Sequence, residues 1–236
     1  MPSPLSREFD PIHRLLRIGH RGAAGHAPEN TLAAIRKGIE LGVDFVEIDV
    51  RCTADGVLVV LHDATVNRTT NGKGRVDRAP LSKLQTLNAG EGEHIPTIEE
   101  VLEVAQGKAG VMVELKVAGI ARMTVEAVKR SGFQEPVIYA SFLHRELAHV
   151  RSADPEAKLM ALFGKLPRAT VARAINYKAS HVGLRHDTAT RRLVETFHNK
   201  GLRVWVYTAN TTQDIRRALS AGVDGVISNF PDRIRE

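Results

Sequence analysis

The residues best suited to chemistry fall in three short runs and one outlier. Glu47-Ile48-Asp49 and Glu114-Leu115-Lys116 each close a β-rich apolar run. His20-Arg21 directly follows a third such run, and His62 stands apart. Strand residues two apart point to the same face, so Glu47 pairs with Asp49 and Glu114 with Lys116. Three carboxylates with no cysteine beside them suit one hard divalent cation with oxygen ligands, Mg2+ or Ca2+, rather than Zn2+. Arg21 and Lys116 aimed at the same point suit a phosphate, and arginine can hold one through two parallel hydrogen bonds. His20 and His62 can serve as general acid and base near neutral pH. Together these groups describe metal-assisted cleavage of a phosphodiester. Taken singly, each group has a plainer reading: a structural ion-pair network for the charges, a core or cap position for the histidines. Their joint placement at adjoining strand ends is what packing does not explain.

The elements that must bring these residues together can be read from the apolar periodicity. Eight short β-rich runs recur: Leu15–His20, Val43–Val50, Val111–Val117, Val137–Phe142, Lys158–Phe163, Ser180–Leu184, Arg203–Thr208 and Val223–Ser228. Segments with helical spacing lie between most of them, among them Thr31–Leu41, Ile98–Ala105, Ile120–Arg130 and Arg191–His198. Alternation of this kind predicts a parallel sheet with crossover helices. Eight units closing on themselves give a (β/α)8 TIM barrel, an α/β fold whose closure removes both sheet edges. In such a barrel, inward charges belong at the mouth formed by the carboxyl ends of the strands.

The stretch between Val50 and Val111 is too long for one crossover. It opens with Asp55-Gly56, a two-residue hairpin signal, which sets Asp49 directly across from His62 if those residues form the turn. Residues 51–95 are therefore expected as a hairpin-and-loop insertion over the barrel mouth within a single domain spanning 1–236. A short helical piece is expected near Leu81–Leu87, and residues 1–14 as an extension or a plug at the barrel bottom. Asn30 is expected to cap the first helix, with Thr31 just inside it.

Bulk composition narrows the function classes. The 236-residue chain is 43% hydrophobic but only 5% aromatic, so the core is mainly aliphatic, as a barrel interior requires. Net charge is +6, which favours anionic partners. The basic residues are dispersed and not interleaved with aromatics, so nucleic acid is not an expected partner. Cys52 is the single cysteine, which excludes an internal disulfide. No apolar run suits a signal peptide or a membrane span, so the expectation is a cytoplasmic protein without integral membrane association. Oligomeric state is not legible in the sequence.

At these residues the sequence resembles the glycerophosphodiester phosphodiesterase family. The resemblance is carried by His20-Arg21-Gly22, Pro28-Glu29-Asn30-Thr31, Glu47-x-Asp49-Val50, Asp55-Gly56 leading to His62-Asp63, and Asn67-Arg68-Thr69-Thr70-x-Gly72. It continues through Ile95-Pro96-Thr97, Glu114-Leu115-Lys116, Ser141-Phe142, and Gly222-Val223-Asp224-Gly225 running to Asn229-x-Pro231. The match runs from about Ile18 to Asp232, in the family's order and spacing.

The resemblance implies the same barrel with a small insertion, and hydrolysis of glycerophosphodiesters such as glycerophosphocholine or glycerophosphoethanolamine to sn-glycerol 3-phosphate and an alcohol. It implies Glu47, Asp49 and Glu114 as metal ligands, His20 and His62 as the acid-base pair, Arg21 and Lys116 as the phosphate grip, and Phe142 on the glycerol side. Relatives use the substrate's own glycerol hydroxyl as nucleophile. Where the family often carries Trp-Thr, this chain has Tyr207-Thr208, with Trp205 two residues earlier on the same face, so both aromatics are candidates for the substrate wall. Two alternatives remain at this point. One is sphingomyelinase D- or phospholipase D-like action on lysophospholipids, for which the sequence offers no obvious exposed apolar loop. The other is a non-catalytic phosphodiester-binding protein.

Overall fold

In the computed structural model, which describes residues 14–166 and 170–235, nine strands form one sheet that closes on itself. They are β1 (Leu16–Gly19), β2 (Phe45–Cys52), β3 (Leu58–Val60), β4 (Gly110–Leu115), β5 (Val137–Ser141), β6 (Lys158–Phe163), β7 (His181–Arg185), β8 (Arg203–Tyr207) and β9 (Gly225–Ser228). Every strand except β3 runs parallel to its neighbours, and β1 pairs with both β2 and β9, which closes an eight-stranded parallel barrel. The helices that return the chain are α1 (Leu32–Glu40), α2 (Leu81–Leu84), α3 (Ile98–Ala105), α4 (Ala121–Ser131), α5 (His144–Ala153), α6 (Thr170–Asn176), α7 (Arg191–His198) and α8 (Thr212–Ala221). The fold is the expected (β/α)8 barrel, and all eight runs predicted as strands are strands.

Alternation along each strand sorts its side chains into two cores. Outward residues such as Val46, Ile48 and Val50 pack with Ile35, Ile98 and Leu102 beneath the surrounding helices. Inward residues Ile18, Phe45, Met112, Ile138, Met160, Leu162, Trp205 and Ile227 fill the barrel itself. Burying a large aliphatic or aromatic side chain contributes about 1.5–3 kcal/mol, so these two layers supply most of the driving force. Trp205 is wholly buried and meets Phe45 and His181 edge-on, at centroid distances of 5.2 and 5.4 Å. A Cβ at Gly225 would lie only 2.8–2.9 Å from its indole, so that strand carries no side chain there.

The segment between β2 and β4 builds a third apolar core from Val59, Leu61, Val66, Val76, Leu84 and Ile95. Its entry differs from the register predicted. Val50 pairs with Val60, Arg51 with Val59 and Cys52 with Leu58, and the Leu61 amide donates to the Asp49 carbonyl at 2.9 Å. Leu61, not His62, is therefore opposite Asp49. The turn uses three residues, Ala54-Asp55-Gly56, because Thr53 bonds back to Val57, and Gly56 takes the left-handed conformation with φ +80°. This is the three-residue hairpin whose last position wants glycine, and its extra residue shifts the pairing by one. Asp55 is fixed in the turn by the Thr53 hydroxyl and by the Leu81 amide. The segment ends by docking onto β3: the Val60 amide donates to the Pro96 carbonyl, and Thr97 starts α3 with a capping box to Glu100.

The first helix also departs from expectation. Thr31, not Asn30, caps α1, accepting a hydrogen bond from the Ala34 amide. The extension expected over residues 1–14 lies, apart from Arg14, outside the described residues; Arg14 pairs with Asp44 at 3.0 Å.

Gly56→Ala should destabilise the chain by roughly 1–2 kcal/mol, because nothing crowds the position and only the left-handed backbone is penalised. Urea denaturation reads this directly; an unchanged midpoint would contradict the turn assignment.

Candidate active site

All eight parallel strands point their carboxyl ends at one mouth, so the last inward side chains of neighbouring strands converge there. β2 presents Glu47 and Asp49, and β4 presents Glu114, in register with Asp49. One oxygen from each of these three carboxylates lies within 4.8 Å of the others, and all three residues are buried. Like charges held this close out of water oppose one another's ionisation. Burial first, then Asp49 and Glu114, pushes the Glu47 carboxyl well above the usual range. Burial and then Asp49 push Glu114 up to about 7, against the pull of Lys116. Asp49 behaves in the opposite way. Burial works against its charge, but Lys116, Arg21, His62 and the Asn30 amide outweigh it and hold the carboxyl low.

The donor set is all oxygen, three converging carboxylates with two of them disfavoured as free anions, and this fits a hard divalent cation. A cavity of about 30 Å³ bounded by His20, Glu47, Glu114, Phe142 and Tyr207 lies against the cluster. That is room for about one small ion or water. Lys116 reaches Glu114 at 2.6 Å and Asp49 at 3.4 Å. Arg21 sits on the other side, with Nε 3.1 Å from Asp49 Oδ2 and Nη1 2.6 Å from Glu29 Oε1. Its backbone, at φ +52°, turns the amide toward Glu47 Oε2 at 2.8 Å.

The two histidines are held by different partners. His20 Nδ1 bonds Asn229 Oδ1 at 2.5 Å, which leaves Nε2 facing Glu47 at 3.9 Å. Burial, and then the neighbouring Arg21, lower the His20 pKa to about 4. The ring is therefore neutral at physiological pH, and the 3.9 Å approach is a contact rather than an ion pair. His62 Nδ1 bonds Asp63 Oδ1 at 2.6 Å, and Arg51 clamps the His62 carbonyl through Nε and Nη2. His62 stands close enough to Asp49 to help hold that carboxyl low. The structure thus brings His20, Arg21, Glu47, Asp49, Glu114 and Lys116 together with His62 beside them, although the hairpin register invoked to place His62 is shifted by one.

Phe142 and Tyr207 stand edge-to-face at 5.8 Å over the cavity, and both also line an adjoining open groove of about 360 Å³ with Arg185 and His186. Trp205 does not join them. It points inward like Tyr207 but one layer deeper, against Phe45 and His181, and lines neither cavity. It is barrel packing, not substrate wall.

Several supporting residues were not assigned to the site from sequence. Asn30 sits at φ +59°, 2% exposed, donating to Asp49 Oδ2 at 2.9 Å and accepting from the Asp49 amide at 3.3 Å. Its role is to hold Asp49, not to cap α1. Asn229 steadies His20, and Asp63 steadies His62. The signal available was their presence in the quoted motifs; nothing in residue spacing alone shows which distant strand end each one meets.

A family model described as the glycerophosphoryl diester phosphodiesterase family matches residues 20–233. A glycerophosphodiester phosphodiesterase from Caldanaerobacter subterraneus subsp. tengcongensis is 35% identical over 234 residues, covering 94% of this chain and 96% of that one. Among solved structures, a phosphodiesterase from Oleispira antarctica in complex with the product sn-glycerol-3-phosphate superposes with a TM-score of 0.86 at 30% identity, covering 92% of this chain and 94% of that one. A glycerophosphodiester phosphodiesterase from Agrobacterium tumefaciens gives 0.84 at 31%, covering 94% and 99%.

Asn30→Ala should cost about 1.5–3 kcal/mol, since it strips a hydrogen bond from the buried Asp49 carboxylate and leaves the Asp49 backbone amide without the Asn30 acceptor. A chemical denaturation midpoint indistinguishable from the parent would show that Asp49 does not depend on Asn30.

Proposed function

The chain belongs to the glycerophosphoryl diester phosphodiesterase family and is a glycerophosphodiester phosphodiesterase; from that premise we propose that it hydrolyses glycerophosphodiesters such as glycerophosphocholine and glycerophosphoethanolamine to sn-glycerol 3-phosphate and an alcohol. The observation that carries this reading is the convergence of three buried carboxylates with two histidines and two cations at one barrel mouth.

In this reading Glu47, Asp49 and Glu114 hold one Mg2+ or Ca2+. When bound, the ion supplies positive charge at the phosphoryl oxygens as negative charge builds there. Arg21 and Lys116 flank the same point and orient the phosphate, the guanidinium as a planar fork and the ammonium as a point charge. His20 and His62 divide the proton work: one removes a proton from the attacking oxygen, the other delivers one to the oxygen of the departing alcohol. Each ring has its Nδ1 engaged, by Asn229 and by Asp63, so each presents Nε2 to the reaction. Phe142 and Tyr207 form the apolar wall that limits water and receives the glycerol side.

One observation favours a second reading. Phe142 and Leu143 are each 44% exposed just past β5, and Leu166, past β6, is 38% exposed. No obvious exposed apolar loop is legible in the sequence, yet this face would accept the acyl chain of a lysophospholipid. Competition by lysophosphatidylcholine in the glycerophosphocholine assay decides between them. Among the described residues no helix is long and apolar enough to cross a membrane.

Release of glycerol 3-phosphate from glycerophosphocholine should require added Mg2+ or Ca2+ and stop reversibly with excess chelator; activity that survives chelation would sink the metal assignment. Glu114→Gln should weaken calorimetric binding of the ion and lower the rate together. His62→Ala should lower turnover by roughly 10²–10⁴ with little change in folding; near-full activity would remove His62 from the reaction.

A further inference from the structure

We propose that Arg68 is a positioning residue for the reaction, orienting His62 through Asp63 and Arg21 through Glu29 at the same time. The inference rests on the functional reading above and extends it to a side chain that touches none of the reacting groups directly.

The guanidinium makes four hydrogen bonds to two carboxylates. Nη1 donates to Glu29 Oε2 at 2.8 Å and Nη2 to Glu29 Oε1 at 2.7 Å, a parallel fork. Nε donates to Asp63 Oδ2 at 2.7 Å, and Nη2 also approaches Asp63 Oδ1 at 3.2 Å. Each carboxylate then passes the constraint on. Asp63 Oδ1 accepts from His62 Nδ1 at 2.6 Å, and Glu29 Oε1 accepts from Arg21 Nη1 at 2.6 Å. Arg21 in turn lies 3.1 Å from Asp49. A continuous run of charged contacts therefore joins His62, on the insertion, to the carboxylate cluster in the barrel, with Arg68 at its centre.

Stability alone does not account for this arrangement. The Arg68 side chain is 48% exposed, and ion pairs open to solvent contribute little to folding. What the fork supplies is direction. A planar guanidinium bonded twice to each partner fixes the rotation of both carboxylates, and hence which nitrogen of His62 and which edge of Arg21 face the site. A lysine ammonium carries the same charge but cannot impose that geometry. Partners of this kind around reacting groups are worth about 10–100-fold in activity.

The test uses the full chain with glycerophosphocholine and divalent cation, comparing R68A, R68K, D63N and E29Q and the doubles R68A/D63N and R68A/E29Q. R68A should lower kcat about 10–100-fold, with its thermal midpoint close to the parent. R68K should recover little of that loss, and D63N and E29Q should cost much less in the R68A background than alone, as members of one network do. In parallel, the His62 Nδ1 proton, assigned by NMR with H62A as the control, should lose its downfield hydrogen-bonded shift in R68A. Parent-like kcat in R68A, full recovery in R68K, or undiminished D63N and E29Q effects would each overturn the proposal. Arg68→Gln serves the same comparisons if R68A does not fold. If the parent chain releases no glycerol 3-phosphate, the functional reading fails and the NMR result alone decides: a lost His62 signal in R68A supports the positioning role, a retained one overturns it.

Discussion

Three carboxylates within 4.8 Å of one another, shut away from water, are the constraint from which the rest of the site follows. Isolated, such a cluster is expensive, because each buried anion loses hydration and repels the other two. The structure does not dilute the cost evenly. It stabilises Asp49 as the firm anion, with Lys116, Arg21 and the Asn30 amide around it, and leaves Glu47 and Glu114 reluctant to ionise. The polar shell is matched to Asp49, while the opening toward the cavity lies on the side of Glu47 and Glu114. Those two carboxylates are the ones with most to gain from an incoming cation, and they line the space where one would fit. The tendency to ionise is thus divided unevenly among three chemically similar residues by their neighbours.

The barrel was legible because its information is local. Eight β-rich runs, with amphipathic stretches between most of them, leave few alternatives to a closed parallel sheet, and their order alone brings the ends of β1, β2 and β4 together. Same-face spacing on β2 was enough to pair Glu47 with Asp49, because a strand has a period of two. The site residues belonging to those strands were legible for the same reason. What escaped was whatever depended on a turn or on a partner far away in sequence. Asp55-Gly56 has the composition of a two-residue turn, but glycine in the left-handed conformation also completes a three-residue turn, and the composition does not separate them. One residue of difference moved Leu61, rather than His62, opposite Asp49. Asn30 looked like a helix cap because asparagine usually is one at that position. The left-handed backbone there instead aims its amide at a strand 19 residues away.

His62 reaches the site in spite of the shifted register, and the reason is instructive about insertions in barrels. Hairpin pairing carries the chain back only as far as Leu61; beyond it, position is set by side chains. Arg51 grips the His62 carbonyl and Asp63 grips its ring, while Arg68 ties Asp63 to Glu29 on the first loop of the barrel. The insertion brings its own small core, which makes it stiff enough to carry His62. Stiffness alone would not aim the imidazole. The aim comes from charge-assisted contacts across the boundary, and these are the contacts that composition and periodicity do not reveal.

Trp205 and Tyr207 show the other dimension that a face assignment leaves out. Both point into the barrel, two residues apart on β8, and so look equivalent in sequence. Their pairing separates them: Trp205 aligns with Gly183 and Gly225, whereas Tyr207 aligns with Arg185 at the rim. Small residues on both flanking strands open a hole that only a large side chain fills, and the indole occupies it at 0% exposure. At the rim the β7 neighbour is Arg185 and Phe142 meets the ring only edge-on, so the tyrosine is left half-covered and turns its hydroxyl to the Phe163 carbonyl. Depth along the barrel axis, counted from the carboxyl end of each strand and checked against the size of the flanking residues, therefore separates packing from function where the alternation of faces cannot. By that count Glu47 lies level with the deepest residues of the cavity and Asp49 one layer nearer the mouth. The metal-binding candidates thus straddle the boundary at which the barrel stops being a packed core: Glu47 is level with Met112, and Asp49 and Glu114 lie one layer further out.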